Sequence, residues 1–292
     1  MKILLDTDIG SDIDDALCLA YLLANPECEL LGVTTVTGQA HRRAQLASAL
    51  CRAADVDVPI YPGAETPLFT SQNQPHVPQA RVLDRWDHAE SFKHGAAIGF
   101  LRETIRRHPG KVTLVAIGPL TNIALLFGVD SELPQLLHAF VAMGGRFYSG
   151  AGLPLVEWNI GCDPYAAAIV YRTQTAVHRS IGLDVTTLAQ MPRDAAREAF
   201  QSRLLQPVLD CAAVWFERRD MVTFHDPLAA ATLFDDRICG FEKGNVEVEL
   251  QSATVQGLTH WRPDSAHGQH EVASTVGADA FFDHFMSVLQ AR

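Results

Sequence analysis

The sequence predicts one α/β domain across residues 1–292, a mainly parallel central sheet flanked by helices. Three observations predict it. Short apolar runs without polar alternation, such as Leu30-Leu31-Gly32-Val33-Thr34-Thr35-Val36, suit strands covered on both faces. These runs take turns with helical segments, giving strand-helix-strand units. Several strands also end in aspartate- or glycine-rich turns that lead into a helix, where open α/β sheets place their ligands.

Ile3-Leu4-Leu5 is a short apolar strand that breaks at Asp6-Thr7-Asp8-Ile9-Gly10-Ser11-Asp12-Ile13-Asp14-Asp15. The apolar run from Ala16 to Leu23 then reads as a helix with Leu17, Tyr21 and Ala24 on one face. It stops at Asn25-Pro26, and a strand over 30–36, a helix over 38–54 and a short strand over 58–63 follow. Residues 66–90 are polar, lose periodicity and carry Pro67, Pro75, Pro78, His76 and His88. They are read as a mobile lid, with a surface insertion as the alternative.

A helix over 95–107 and a buried strand over 112–117 lead to Gly118-Pro119-Leu120-Thr121-Asn122, where Pro119 suits an early helical position. Residues 139–143 form another strand, closed by Gly144-Gly145, where missing side chains admit close backbone approach. Beyond Glu157-Trp158-Asn159 and Asp163-Pro164 come a helix over 165–171, a strand over 177–183 and two helices between 192 and 218. Trp215 and Phe216 are read as core. The tail holds a half-exposed strand over 246–250 and an amphipathic helix over 279–289.

Composition narrows the function. The content is 48% hydrophobic, enough for a sizeable core. A formal net charge of −11 without a basic stripe argues against nucleic acid, and no apolar run is long enough to span a bilayer. Met1-Lys2 runs directly into the first strand, so a cytoplasmic location is expected. The six cysteines are scattered singly without zinc spacing and read as reduced, mostly buried thiols.

The chemistry concentrates in the first turn. Five carboxylates in ten residues repel one another unless a cation sits among them, and hard oxygen donors suit Ca²⁺ or Mg²⁺ rather than zinc. The plain alternative is solvated turn residues, with Asp14 or Ser11 capping the helix. Asp226 in His225-Asp226-Pro227 could likewise be only a helix cap. His225 beside it suggests a metal ligand and an acid or oriented donor side by side.

Taken together, these motifs resemble the nucleoside hydrolase family, the inosine-uridine-preferring N-ribohydrolases. The aspartate turn, Gly118 to Asn122, Met143-Gly144-Gly145, Glu157-Trp158-Asn159 with Asp163-Pro164, and His225-Asp226-Pro227 occur in the family's order across nearly the whole chain. The resemblance implies a Rossmann-like open sheet and a Ca²⁺ held by Asp8, Asp15, the Ile117 carbonyl and Asp226. Asp8 would also act as general base on water. Asp14, Asn159 and Glu157 would hold the ribose hydroxyls, Met143 would pack beneath the sugar, and His225 would serve the leaving base. A nucleoside substrate, a role in purine or pyrimidine salvage, and a homodimer or homotetramer are implied as well.

The chain departs from the family pattern in places. Two extra residues precede Asp14-Asp15, so Asp12 is a candidate for the role given to Asp14; Asp6 opens the same turn. Gln39 and Ala151 stand where the family commonly has sugar-binding asparagines, and His76 is followed by Val77 rather than glycine. Two other readings are therefore kept. One is a Ca²⁺-dependent nucleoside or sugar-binding protein without turnover. The other is a Mg²⁺-dependent haloacid dehalogenase-type phosphatase, whose DxD also follows the first strand; here Gly10 stands where that family expects threonine or valine.

Overall fold

Alternate residues of the first strand bury in opposite directions. Ile3 and Leu5 join one apolar cluster, and Leu4 joins another on the far side of the sheet. Val115 and Val141 repeat the first direction, Leu114, Phe140 and Ala142 the second. Both faces are thus covered by helices, which is why these strands read as continuous apolar runs.

The computed structural model describes residues 1–150 and 152–290. Its strands are β1 (Lys2–Thr7), β2 (Glu29–Thr35), β3 (Ile60–Pro62), β4 (Val112–Ala116), β5 (Ala139–Met143), β6 (His178–Ile181), β7 (Gln190–Pro192), β8 (Met221–Thr223), β9 (Cys239–Val248), β10 (Thr259–Pro263) and β11 (His270–Val276). Nine of them form one sheet in the order β10-β9-β11-β6-β5-β4-β1-β2-β3, while β7 and β8 pair separately. From β3 to β11 every pairing is parallel; β9 and β10 add an antiparallel edge. The strand order reverses between β1 and β4. A topological switch point of this kind opens a crevice at the carboxyl ends of its two strands, and the aspartate turn follows β1 there.

The first helix, Asp14–Ala24, differs from the one-faced helix expected from its sequence: all eleven of its residues are buried. The C-terminal helix Ala278–Gln290 packs over it, with the Phe285 ring stacked on Tyr21 at 5.5 Å between centroids. The Tyr21 hydroxyl and His284 Nε2 lie 2.7 Å apart. Neither Ser11 nor Asp14 caps this helix, because Ile13 occupies the N-cap position without a side-chain bond. The aspartates are therefore not spent on capping.

Residues 66–90 are not featureless. They contain a 3₁₀ helix, Pro78–Arg85, with Val82 and Leu83 buried, and the Trp86 indole N–H donates to Asp210 Oδ2 at 2.9 Å. Trp215 is another departure: it is half-buried and faces a cavity, whereas its neighbour Phe216 is core as expected. Five of the six thiols are buried and all six are free. Ala151 lies outside the described residues.

Phe285→Ala should lower the free energy of unfolding by about 3–5 kcal/mol. Denaturant titration should show an earlier midpoint at unchanged slope. A loss below about 1 kcal/mol would mean that this ring does not fill the space over Tyr21.

Candidate active site and metal centre

Because β1 lies between β2 and β4, the turn after it starts in the centre of the sheet. Asp6, the last but one residue of β1, points into the protein rather than the crevice. Its Oδ1 accepts from Thr34 Oγ1 and from Asn122 Nδ2 at 2.7 Å, and its Oδ2 is buried without a partner. Burial pushes its pKa up to about 7. Asp6 therefore braces β1 against its neighbours, and Asn122 also accepts from the Ala64 N–H at 2.9 Å.

Asp8 enters the crevice. Beside it a cavity of about 370 Å³ is lined by Asp8, Asp12, Asp14, Asp15 and Asp226, by Ile117, Met143, Glu157, Asn159 and His225, and by residues not anticipated from sequence. Asp14, Asp15 and Asp226 each offer a carboxylate oxygen within 4.8 Å of the others, a group that could hold a metal ion. Asp8 lines the same cavity without belonging to that group, and Asp14, expected to serve the sugar, does belong. Thr7 donates to Asp15 Oδ1 at 2.5 Å, while the Asp226 N–H donates to Asp14 Oδ2 at 3.3 Å. Asp226 lies in the first turn of the helix His225–Ala231, which has no side-chain cap, so the capping alternative for Asp226 fails.

The electrostatics show a deficit of positive charge. Burial raises the pKa of Asp8, Asp14, Asp15 and Asp226, and for the last three the neighbouring aspartates raise it further. Burial brings Asp12 to about 7. The buried opposing charge is Arg43, 0% exposed, which favours the ionised forms of Asp8 and Asp15, while Arg219 on the cavity wall favours that of Asp12. The Arg43 guanidinium donates to the carbonyls of Asp8, Ile9 (3.1 Å), Gly38 (2.9 Å) and His76 (3.3 Å), and to Ser11 Oγ (3.1 Å). It thereby clamps the lengthened turn. One buried guanidinium, with the exposed Arg219 acting on Asp12 from the cavity wall, is outnumbered by the buried carboxylates; this leaves room for a divalent cation, and all the donors are hard oxygens.

A further part of the cavity wall comes from the end of β5 and the helix Trp158–Cys162. Glu157 caps that helix: Oε1 accepts from the Asn159 N–H at 2.8 Å, and Oε2 accepts from Ile160 at 3.0 Å and Gly145 at 3.1 Å. Burial still lifts its pKa to about 7. Asn159 Nδ2 donates to the carbonyls of Ile117 (3.0 Å) and Met143 (3.2 Å), placing the ends of β4 and β5 under one amide. His225 is desolvated down to a pKa of about 4 and is neutral near pH 7; its Nδ1 lies 2.7 Å from Thr186 Oγ1.

Sequence reasoning missed Ser11, Gln74, Trp158, Leu183, Trp215 and Arg219 on the cavity wall. Ser11 and Trp158 lie inside motifs already singled out and Gln74 in a polar amide run, whereas Leu183, Trp215 and Arg219 carried no signal. Conversely, Gln39 and His76 are exposed and line no wall of this cavity: Gln39 Oε1 accepts from the Val77 N–H at 3.2 Å.

Comparison with known proteins gives concordant results. The family model for inosine-uridine preferring nucleoside hydrolases matches residues 3–283. Uridine nucleosidase 1 of Arabidopsis thaliana is 30% identical, covering 99% of this chain and 93% of that protein. A non-specific ribonucleoside hydrolase of Escherichia coli is 32% identical, covering 89% and 96%. The purine-preferring ribonucleoside hydrolase from Gardnerella vaginalis superposes with a TM-score of 0.85 at 22% identity, over 100% of this chain and 98% of that one, a likeness of fold.

The raised carboxyls fix the sign of a pH effect. Asp6, Asp12 and Glu157 keep their protons in the folded protein up to about pH 7, whereas the unfolded chain loses them near pH 4. Their contribution is full below pH 4 and is lost as pH rises towards 7, by up to about 1.4 kcal/mol per pH unit for each group. Protein stripped with chelator should thus melt at a higher temperature at pH 5 than at pH 8, and millimolar Ca²⁺ should narrow the gap. Equal melting temperatures at both pH values would refute the charge deficit.

Proposed function

The chain belongs to the inosine-uridine preferring nucleoside hydrolase family, and from that premise we propose that it hydrolyses the N-glycosidic bond of a ribonucleoside with Ca²⁺ at the carboxylate group, releasing free base and ribose. The observation that carries this reading is the cavity at the β1–β4 switch point. Its lining includes both the carboxylate group and Met143, Glu157 and Asn159, which supports the reading. Family membership displaces the phosphatase alternative.

Asp8, Asp15, Asp226 and the Ile117 carbonyl would hold the ion, with Asp14 close enough to contribute. When bound, Ca²⁺ would neutralise part of the carboxylate charge and make water more acidic. Asp8 takes the proton from the attacking water as it adds to the anomeric carbon opposite the departing base, as in inverting glycosidases. Bond breaking runs ahead of attack, so positive charge grows on the sugar and the surrounding carboxylates stabilise it. Asp14, Glu157 and Asn159 take the ribose hydroxyls, and Met143 packs beneath the ring. His225, being neutral, serves as a hydrogen-bond donor to the leaving base in the tautomer that carries its hydrogen on Nε2, in which Nδ1 accepts from Thr186 Oγ1, 2.7 Å away.

The salvage role, a cytoplasmic setting and a homodimer or homotetramer are proposed on the family resemblance. Among the described residues no helix is long and apolar enough to cross a membrane. The reading without turnover was motivated by Gln39 and Ala151; Gln39 is exposed and lines no wall of the cavity, so it supplies no sugar contact there, and base release decides between the two readings.

Base release from a panel of ribonucleosides and deoxyribonucleosides, followed by chromatography with added Ca²⁺ and after chelation, should show metal-dependent release. Bound Ca²⁺ with no release from any nucleoside would overturn hydrolysis in favour of binding alone. Asp8→Asn should lower kcat by about 10²–10⁴-fold while sparing the fold, and near-normal turnover would remove Asp8 as base. His225→Ala should cost more with natural nucleosides than with an activated nitrophenyl riboside; equal losses would exclude it as the leaving-group donor.

A further inference from the structure

Gln74 is the one buried member of the amide run Gln72-Asn73-Gln74, at 7% exposure, in a segment whose other polar side chains mostly face solvent. A buried primary amide is costly unless its hydrogen-bonding groups find partners. Here they do. Nε2 donates to Asp8 Oδ2 at 2.8 Å and to Ser11 Oγ at 2.7 Å, and Oε1 accepts from the Trp158 indole N–H at 2.9 Å. Tryptophan can only donate and an ionised carboxylate can only accept, so the amide has a single consistent orientation.

The backbone is built to deliver this side chain. Gln72 Oε1 accepts from the Gln74 N–H at 2.7 Å and from Thr37 Oγ1 at 3.2 Å, tying the segment to the end of β2. Gly38 permits the close approach: a Cβ there would stand 2.5 Å from the Gln74 carbonyl oxygen. Pro75 restricts Gln74 to extended conformations.

We propose that Gln74 is a positioning residue, which fixes the Asp8 carboxylate and ties it to the Trp158 indole at the cavity mouth. The proposal rests on the reading of Asp8 as base and cation ligand. The two oxygens of Asp8 then face different neighbours. Oδ2 is held by Gln74, while Oδ1 lies against the backbone of Gly118, where a Cβ would come within 2.7 Å of it, beside the carbonyl-bearing residue Ile117. Without the amide, the carboxylate is free to turn about its side-chain bonds. At the other end, Trp158 is 58% exposed and stands between Glu157 and Asn159 in sequence. A ligand that shifts this indole is therefore felt at Asp8 through one glutamine.

Two variants test the tie. Gln74→Met keeps the length of the side chain and removes its hydrogen bonds; Trp158→Phe keeps a smaller aromatic ring at an exposed position and removes the N–H. Gln74→Met should lower kcat by about 10–100-fold with KM within about twofold, and should weaken Ca²⁺ binding, measured by calorimetry without substrate, by about tenfold. Trp158→Phe should lower kcat by about 2- to 10-fold. The double variant should be no worse than Gln74→Met alone, because both changes break one network. Multiplying losses, or parent-like kcat and Ca²⁺ affinity in Gln74→Met beside an active parent, would overturn the proposal and leave hydrolysis standing. A parent that releases no base, with Ca²⁺ affinity still falling about tenfold in Gln74→Met, would overturn hydrolysis and uphold the tie.

Discussion

The structure depends on an electrostatic imbalance held at the end of one central strand. Asp8, Asp14, Asp15 and Asp226 are all buried, and the basic side chain buried against their turn is Arg43. Arg43 spends its donors chiefly on backbone carbonyls, so it fixes the path of the turn while offsetting only part of its charge. Burial disfavours ionised carboxylates, and their mutual repulsion adds to that cost. A divalent cation is the chemical complement of such a site. The same negative charge, facing a sugar that turns cationic as its base departs, is what hydrolysis of an N-glycosidic bond requires.

Rigid surroundings maintain this imbalance. Asn122 donates to Asp6, and Asp163 accepts from Thr121 Oγ1 at 2.7 Å and from the Leu68 N–H at 2.9 Å while capping its own helix. The GPLTN and DP motifs are therefore largely scaffolding. They lock the turns after β1 and β4 together, and the carboxylates are presented from elements that cannot easily move apart. The 66–90 segment adds a second grip: Gln79 is fully buried, its backbone N–H donates to the Gly10 carbonyl at 3.1 Å, and its side chain donates to the Asp12 carbonyl at 2.9 Å.

Much of the fold was legible in the sequence because a parallel sheet covered on both faces leaves apolar runs, as at β2, β4 and β5. The residues of the 139–143 strand match β5 in full. Less legible was the antiparallel edge: of β9 only the end reads as a strand, over 246–250, and β10, like the interior β11, mixes polar and apolar residues without clear alternation. The complete burial of the helix Asp14–Ala24 also escaped, since what covers its outer face is the C-terminal helix, some 260 residues away in sequence.

For the site, the sequence by itself determined the acidic turn, the order of the motifs and hence the family, because each is a local cluster with its own chemical signature. Only the tertiary structure decided which of those residues meet. It sent Asp6 inward, left Gln39 and His76 in solvent, grouped Asp14 with Asp15 and Asp226, and turned Trp215 towards the cavity. It also brought Gln74 to Asp8 across 66 positions of chain. A single polar residue in an irregular segment has no periodicity to announce it, and its role exists only through the partners that folding places around it.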